Sequence, residues 1–183
     1  MTSMTDRERL LELVKTRALE VRKVVLSSGK TSGYYVDCKR VTLDSEGAYL
    51  TAKLMLEMVN PKASAVAGLT LGADPIVSSM AVLSHVQGKG IPALIIRKEP
   101  KKHGTRRFIE GPSLPEGSEV VVVDDVVTSG VSLLRSAERL VAEGFKPIQT
   151  LAILDRQEGG REALEATGYK LEAIFTRDDL KIN

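Results

Sequence analysis

Four consecutive valines, Val120 to Val123, run straight into Asp124 and Asp125, and these into Val126, Val127, Thr128, Ser129 and Gly130. β-Branched side chains suit a pleated backbone, and a run with no polar alternation predicts a strand buried on both faces. The two acids are expected where that strand stops. Beyond them Val131, Leu134, Ala137, Leu140 and Val141 recur at helical spacing until Gly144, with Ser132 in the opening turn. The unit reads as strand, acid pair, tight loop, helix. In an open α/β sheet such a turn lies at the carboxyl edge of the strands, where ligands bind.

The rest of the chain supplies a sheet for that unit. Residues 5–19 carry a helical apolar pattern, and residues 20–40 read as two short strands around the Ser/Gly-rich turn 27–33. A helix over 45–59 stops near Pro61, a buried strand covers 63–69, and a helix follows over 73–88 with Pro75 tolerated in its first turn. A strand over 91–97 leads into a charged stretch, 98–118, that has no apolar periodicity. After the valine strand and its helix come a strand over 148–156, a helix over 160–168 and a last strand over 170–175. Strands alternating with helices from residue 61 onward predict an α/β fold with a mostly parallel central sheet flanked by helices. With 183 residues and no visible linker or repeat, one domain is expected: residues 1–40 a small N-terminal helix and strands, residues 61–183 the core.

Composition narrows the function classes. A net charge of +2 is too weak to argue for nucleic acid as a global partner, so any electrostatic role must come from local clusters. The one cysteine, Cys38, cannot form an internal disulfide, and no signal peptide or apolar run of membrane-spanning length is present; a cytoplasmic protein without a membrane partner is expected. With two histidines and one cysteine a zinc site is not expected.

The acid pair has several readings. It could merely cap the next element, as Asp commonly does. A nucleoside triphosphatase would need a GxxxxGK[ST] loop, and SGKTS at 28–32 fails because Val24 stands where the first glycine belongs. A phospho-acceptor receiver domain carries its acidic pair near the start, and too little chain follows Asp125 here. The remaining reading uses every part: two carboxylates accept from vicinal ribose hydroxyls, while the amides of 127–130, the hydroxyls of Thr128 and Ser132 and a helix N-terminus hold a 5-phosphate. The run resembles the phosphoribosyl pyrophosphate (PRPP) signature of type I phosphoribosyltransferases, a signature that leaves the acceptor open.

The segment 97–111, RKEPKKHGTRRFIEG, carries six lysines or arginines between 97 and 107 against the single acid Glu99. Such a run is commonly a solvated face. A pyrophosphate leaving group, however, needs cations as its bond breaks. His103 lies in this polar setting, whereas His85 sits on an otherwise apolar helix and is expected to be structural. The segment is similar to the RKxxKxHG loop of orotate phosphoribosyltransferases through Arg97, Lys98, Lys101, His103 and Gly104. LSSGKTSGYYVD at 26–37, GLTLGADP at 68–75 and LDR at 154–156 resemble further family stretches in the same order.

That resemblance implies a type I phosphoribosyltransferase fold with an N-terminal hood and transfer of phosphoribose from PRPP to orotate, giving orotidine 5-monophosphate and pyrophosphate in pyrimidine biosynthesis, with Mg2+ carried by the donor. It implies that Asp124 and Asp125 hold the ribose hydroxyls, Val126, Val127, Thr128, Ser129, Gly130, Val131 and Ser132 the 5-phosphate, and Arg97, Lys98, Lys101 and His103 the pyrophosphate. Lys101, His103, Asp124 and Asp125 are the implied catalytic set. Thr128 and Arg156 would contact orotate. Tyr34 and Tyr35 would stack on the pyrimidine, although core packing accounts for one of the two equally well. The family acts as a homodimer whose loop, here 98–111, reaches the neighbouring site. This chain departs from family members that carry lysine at the positions of Ser27 and Leu71; Lys30 lies near the first, and Lys102 stands where an acid is common. A purine phosphoribosyltransferase would lack the basic motif and Arg156, and a PRPP-sensing regulator would need more than residues 1–25 for a DNA-binding domain.

Overall fold

The computed structural model describes residues 4–25, 31–100 and 108–182. Helix α1 (Asp6–Leu13) opens with a capping box: Thr5 accepts from the Glu8 amide, and Glu8 reaches back to the Thr5 amide. It runs into a π-helical turn over Val14–Ala18. Four two-residue strands follow: β1 (Leu19–Glu20), β2 (Val24–Val25), β3 (Thr31–Ser32) and β4 (Tyr35–Val36). β1 pairs antiparallel with β4 and β2 with β3, so the two expected strands resolve into four short ones in nested antiparallel pairs. A short helix α2 (Lys39–Thr42), not anticipated from the pattern, leads to α3 (Ser45–Met58), whose N-cap Asp44 accepts from the amides of Glu46 and Gly47.

The core follows as β5 (Ala65–Leu69), α4 (Asp74–Val86), β6 (Ala93–Ile96), β7 (Ile109–Glu110), β8 (Glu119–Val127), α5 (Val131–Ala142), β9 (Lys146–Asp155), α6 (Gly160–Glu165), β10 (Leu171–Thr176) and α7 (Arg177–Leu180). Among the described residues the main sheet has the order β10-β9-β8-β5-β6-β7, parallel throughout except for β7, which returns antiparallel beside β6. β7 lies in the stretch read as structureless, because a two-residue strand leaves no periodicity to detect.

The valines behave as a strand buried on both faces must. Val121 and Val123 join Met55, Ile76, Met80 and Ile153 in one cluster, which also takes in Leu10 and Leu13 of α1. Val120 and Val122 pack with Leu133, Leu140 and Leu164 on the opposite side. One expectation is corrected. The strand does not stop at the acids but continues through them to Val127, since the ten-residue β9 runs alongside and pairs Asp124 with Ala152 and Val127 with Asp155. β9 itself begins at Lys146, two residues before Ile148.

Candidate functional site

Chain connectivity reverses at β5. Its neighbour on one side is β6, the next core strand, and on the other is β8, so the crevice outside the carboxyl ends of β5 and β8 is the topological switch point of the sheet. Two segments meet there: the turn 70–73 after β5 and the acid pair near the end of β8. A Cβ on Gly72 would sit 2.7 Å from an Asp125 carboxylate oxygen, so any side chain there would displace the acid. The peptide between Thr70 and Leu71 in the same turn is cis. Leu71 projects largely into solvent at 64% exposure.

Asp124 is buried and Asp125 partly so. Each accepts a hydrogen bond from the amide of the residue after it, at 2.9 Å in both cases. Burial, and then the neighbouring charge of Asp125, push the Asp124 pKa well above the ordinary carboxylate range; the Asp125 amide and the charge of Lys98 act in the other direction. A buried acid beside a partly buried one is a place where a cation or a set of hydroxyl donors would be welcome. Among the described residues no three His, Cys, Asp or Glu side chains cluster as metal ligands.

Immediately downstream lies a cavity of about 300 Å³ lined by Asp124 and the whole run Val126 to Ser132. Gly130 begins the helix in a left-handed conformation (φ 77°), and a Cβ there would meet the Gly160 carbonyl oxygen at 2.9 Å. Gly160 is packed as tightly from its own side, against Thr128 and Val127. The first-turn amides of the twelve-residue α5 therefore open on this cavity without intrahelical acceptors, the arrangement that binds phosphate. A larger cavity of about 740 Å³ lies between residues 111–116 and the carboxyl end of α5. Among the described residues its ionisable lining is Glu116 and Glu143, which do not suit an anionic ligand.

On the β6 side, Arg97 and Lys98 begin the basic segment. The Arg97 guanidinium bonds the Glu110 carboxylate at 3.3 Å and the Glu99 carbonyl at 3.2 Å, bracing the strand pair rather than pointing free. Lys98 is exposed. Lys101 and His103 lie outside the described residues, as do Ser27, Lys30 and Lys102.

Across the crevice, Arg156 follows β9 and its amide donates to the Val127 carbonyl at 2.9 Å. Its guanidinium is buried at 2% exposure, stacks over the Tyr34 ring at 4.2 Å, donates to the Ser32 hydroxyl at 2.8 Å and pairs with Glu158 at 2.9 Å. Tyr34 belongs to the core cluster, so of the two aromatic residues it is the one that takes the packing role, and its buried hydroxyl has no hydrogen-bond partner among the described residues. Tyr35 is half-buried, with Arg22 5.7 Å from its ring centroid. A second cavity of about 300 Å³ under this hood is lined by Ser32, Tyr34, Glu158 and Arg177. His85, expected to be structural, is instead exposed in the last turn of α4, where a cation suits the helix dipole.

The structure thus brings Asp124, Asp125, Val126 to Ser132 and Arg156 to one sheet edge. Pattern reading missed Ser32 and Glu158, which partner Arg156 from 124 and two residues away, and Arg139, which reaches the basic segment from α5. No local signal marks the first and last of these, because their roles depend on long-range contacts.

Residues 41–172 match the family model described as a phosphoribosyl transferase domain. The chain is 49% identical to the orotate phosphoribosyltransferase of Thermosynechococcus vestitus over 98% of its own length and 95% of that protein's. It is 48% identical to the orotate phosphoribosyltransferase of a Nostoc species, covering 97% and 86% respectively. Its structure superposes on the Mycobacterium tuberculosis orotate phosphoribosyltransferase in complex with PRPP with a TM-score of 0.80 at 34% identity, covering 97% of this chain and 100% of the other.

Proposed function

The chain belongs to the orotate phosphoribosyltransferase family, and on that premise we propose that it transfers the 5-phosphoribosyl group of PRPP to orotate, forming orotidine 5-monophosphate and pyrophosphate for pyrimidine biosynthesis. The observation that carries this reading is Asp124 and the run Val126 to Ser132 lining one cavity at the switch point, with the free amides of α5 at its end. A nitrogen of orotate bonds to the anomeric carbon as the bond from that carbon to pyrophosphate breaks, and positive charge builds on the ribose ring between the two events.

In this reading Asp124 and Asp125 accept from the ribose hydroxyls and lie near enough to favour the charged ring. The cradle of Val126, Val127, Thr128, Ser129, Gly130, Val131 and Ser132 holds the 5-phosphate. Lys98, Lys101 and His103 neutralise the departing pyrophosphate, with Arg97 joining them by exchanging its Glu110 contact. Orotate, a planar anion, binds between Thr128 and the forked Arg156 guanidinium, with Tyr35 as the stacking ring and Tyr34 setting Arg156 from behind. No general base is assigned, because orotate arrives as an anion and alignment with the anomeric carbon supplies the main advantage.

The site suits a magnesium ion that arrives with the donor: two adjacent carboxylates, one of them strained by burial, complement an ion that keeps waters and borrows phosphate oxygens. When bound, magnesium supplies charge neutralisation to the pyrophosphate oxygens. We further propose that residues 1–183 act as one domain, that the chain works in the cytoplasm as a homodimer, and that the loop 98–111 reaches the neighbouring subunit's site while Lys98, at its root, acts on the acid pair of its own subunit. Family membership supports these points.

Loss of orotate absorbance with PRPP and magnesium, run against adenine, guanine and hypoxanthine, tests the reading. Orotate alone is expected to be consumed. Conversion of a purine instead, or PRPP binding with no base converted, would overturn it.

A further inference from the structure

We propose, resting on the function above, that Arg139 is a positioning residue: it locks the neck of the basic segment so that Lys98 keeps a fixed place relative to the acid pair. Arg139 lies in the last turn of α5, far along the chain from the segment it touches. One Nη donates to the Arg97 carbonyl and the other to the Lys98 carbonyl, the latter at 2.9 Å. The same guanidinium covers the Phe108 ring at 4.3 Å from its centroid. A single planar cation therefore grips both limbs of the segment, the outgoing one at Arg97 and Lys98 and the returning one at Phe108. The Arg97 amide donates to the Phe108 carbonyl at 2.8 Å, closing the neck between the limbs, and Ile96 pairs with Ile109 just behind it.

The chemistry of these contacts argues for alignment rather than charge balance. The Arg139 guanidinium donates to backbone carbonyls, and it forms no ion pair with a carboxylate among the described residues. Partial burial lowers its pKa, yet a guanidinium stays protonated at any working pH, so its two forked donors and flat face remain fixed. A lysine would bring its donors on a single nitrogen, without a fork or a stacking plane. The far end of the same helix begins at Gly130, in the phosphate cradle. Helix α5 thus ties the position of the neck to that of the cradle. Lys98 is the described member of the segment whose charge acts on Asp124, where it opposes the effect of burial and of Asp125.

Because Arg139 is argued to act through Lys98, a double-mutant cycle tests it. In the full-length protein, Arg139→Met is expected to lower kcat for orotate consumption by about tenfold or more, the scale set by misplacing a catalytic group, while KM for orotate moves less than about threefold. In a Lys98→Ala background the same change is expected to lower kcat by less than about threefold. Arg139→Lys should restore only part of the loss. Should Arg139→Met fail to fold, Phe108→Leu, which removes only the stacking plane, takes its place in the cycle with a smaller expected loss. Equal losses in the two backgrounds, or a loss wholly in orotate KM, would overturn the proposal while active wild-type protein leaves the enzymatic reading intact. Wild-type protein that consumes no orotate would overturn both.

Discussion

The two sides of the crevice are built in opposite ways. The side proposed to hold the donor is contiguous: nine successive residues, Asp124 to Ser132, contribute two acids, hydroxyls and a helix N-terminus, and the sheet needs only to present them. The side proposed to hold the acceptor is assembled from distant chain: Arg156 is sandwiched between Tyr34, Ser32 and Glu158, with Ser32 124 residues away. The first side carries strain, in an acid whose charged form burial opposes. The second is already balanced, in a buried cation with a resident carboxylate. If the proposed roles hold, a site whose donor half opposes charge by burial and whose acceptor half is neutralised in advance rewards a cation-bearing donor at one half and makes the anionic acceptor compete for the other.

The largest test breaks the donor half. Asp124→Asn is expected to lower kcat by about 10²–10³-fold, the range for losing a group aimed at developing charge. It should also stabilise the fold. The folded-state pKa of Asp124 lies above its unfolded value, so the native chain binds the proton more tightly; this contribution to stability is present in acid and is lost as pH rises through the folded value. The variant is therefore expected to melt higher at pH 7, by about 2–4 °C for each kcal/mol relieved, and to lose that advantage below about pH 4. Calorimetry across pH reads the sign directly, and a lower melting temperature at neutral pH contradicts it.

Arg156→Lys probes the acceptor half. Without the fork and the flat face over Tyr34, kcat/KM for orotate should fall by about 30-fold, about 2 kcal/mol, with PRPP affinity by equilibrium binding little changed. Gly130→Ala sits between the halves: a left-handed residue gains a Cβ against Gly160, and about 1–2 kcal/mol of stability should be lost, with PRPP affinity falling about tenfold. Urea unfolding and PRPP titration measure both; an unchanged midpoint would show that the loop relaxes freely. The smallest expected effect sharpens the comparison. Glu158→Gln removes the resident carboxylate from Arg156, and KM for orotate should drop by about threefold, since the substrate no longer displaces a charged competitor. A rise in KM would mean that Glu158 orients the arginine instead of competing for it.

How far each half was legible follows from the same contrast. The valine run, the acid pair and the helix after Gly130 could be read from spacing because they depend on residues near one another, and so could the parallel α/β sheet, because its strands and helices each carry their own period. The end of β8 was misplaced at the acids, since the length of a strand is set by its partner, and β9 runs on beside it as far as Asp155. β7, α2 and α7 escaped notice because elements of two or four residues are held by tertiary contacts and leave no pattern. Tyr34 and Tyr35 look alike as neighbours in a row, and only burial separates the core ring from the half-exposed one.

The amino-acid order by itself determined which groups this protein brings: a buried strand carrying two acids, a glycine-hinged turn before a helix and a string of cations, each defined by adjacent residues whose backbone preferences and charges act over a few ångströms. Tertiary structure decided what each group faces. It put Glu158 and Ser32 on Arg156, Glu110 on Arg97 and Arg139 under the neck of the basic segment, because those encounters join stretches far apart in the chain and exist only once the sheet has brought its edges together.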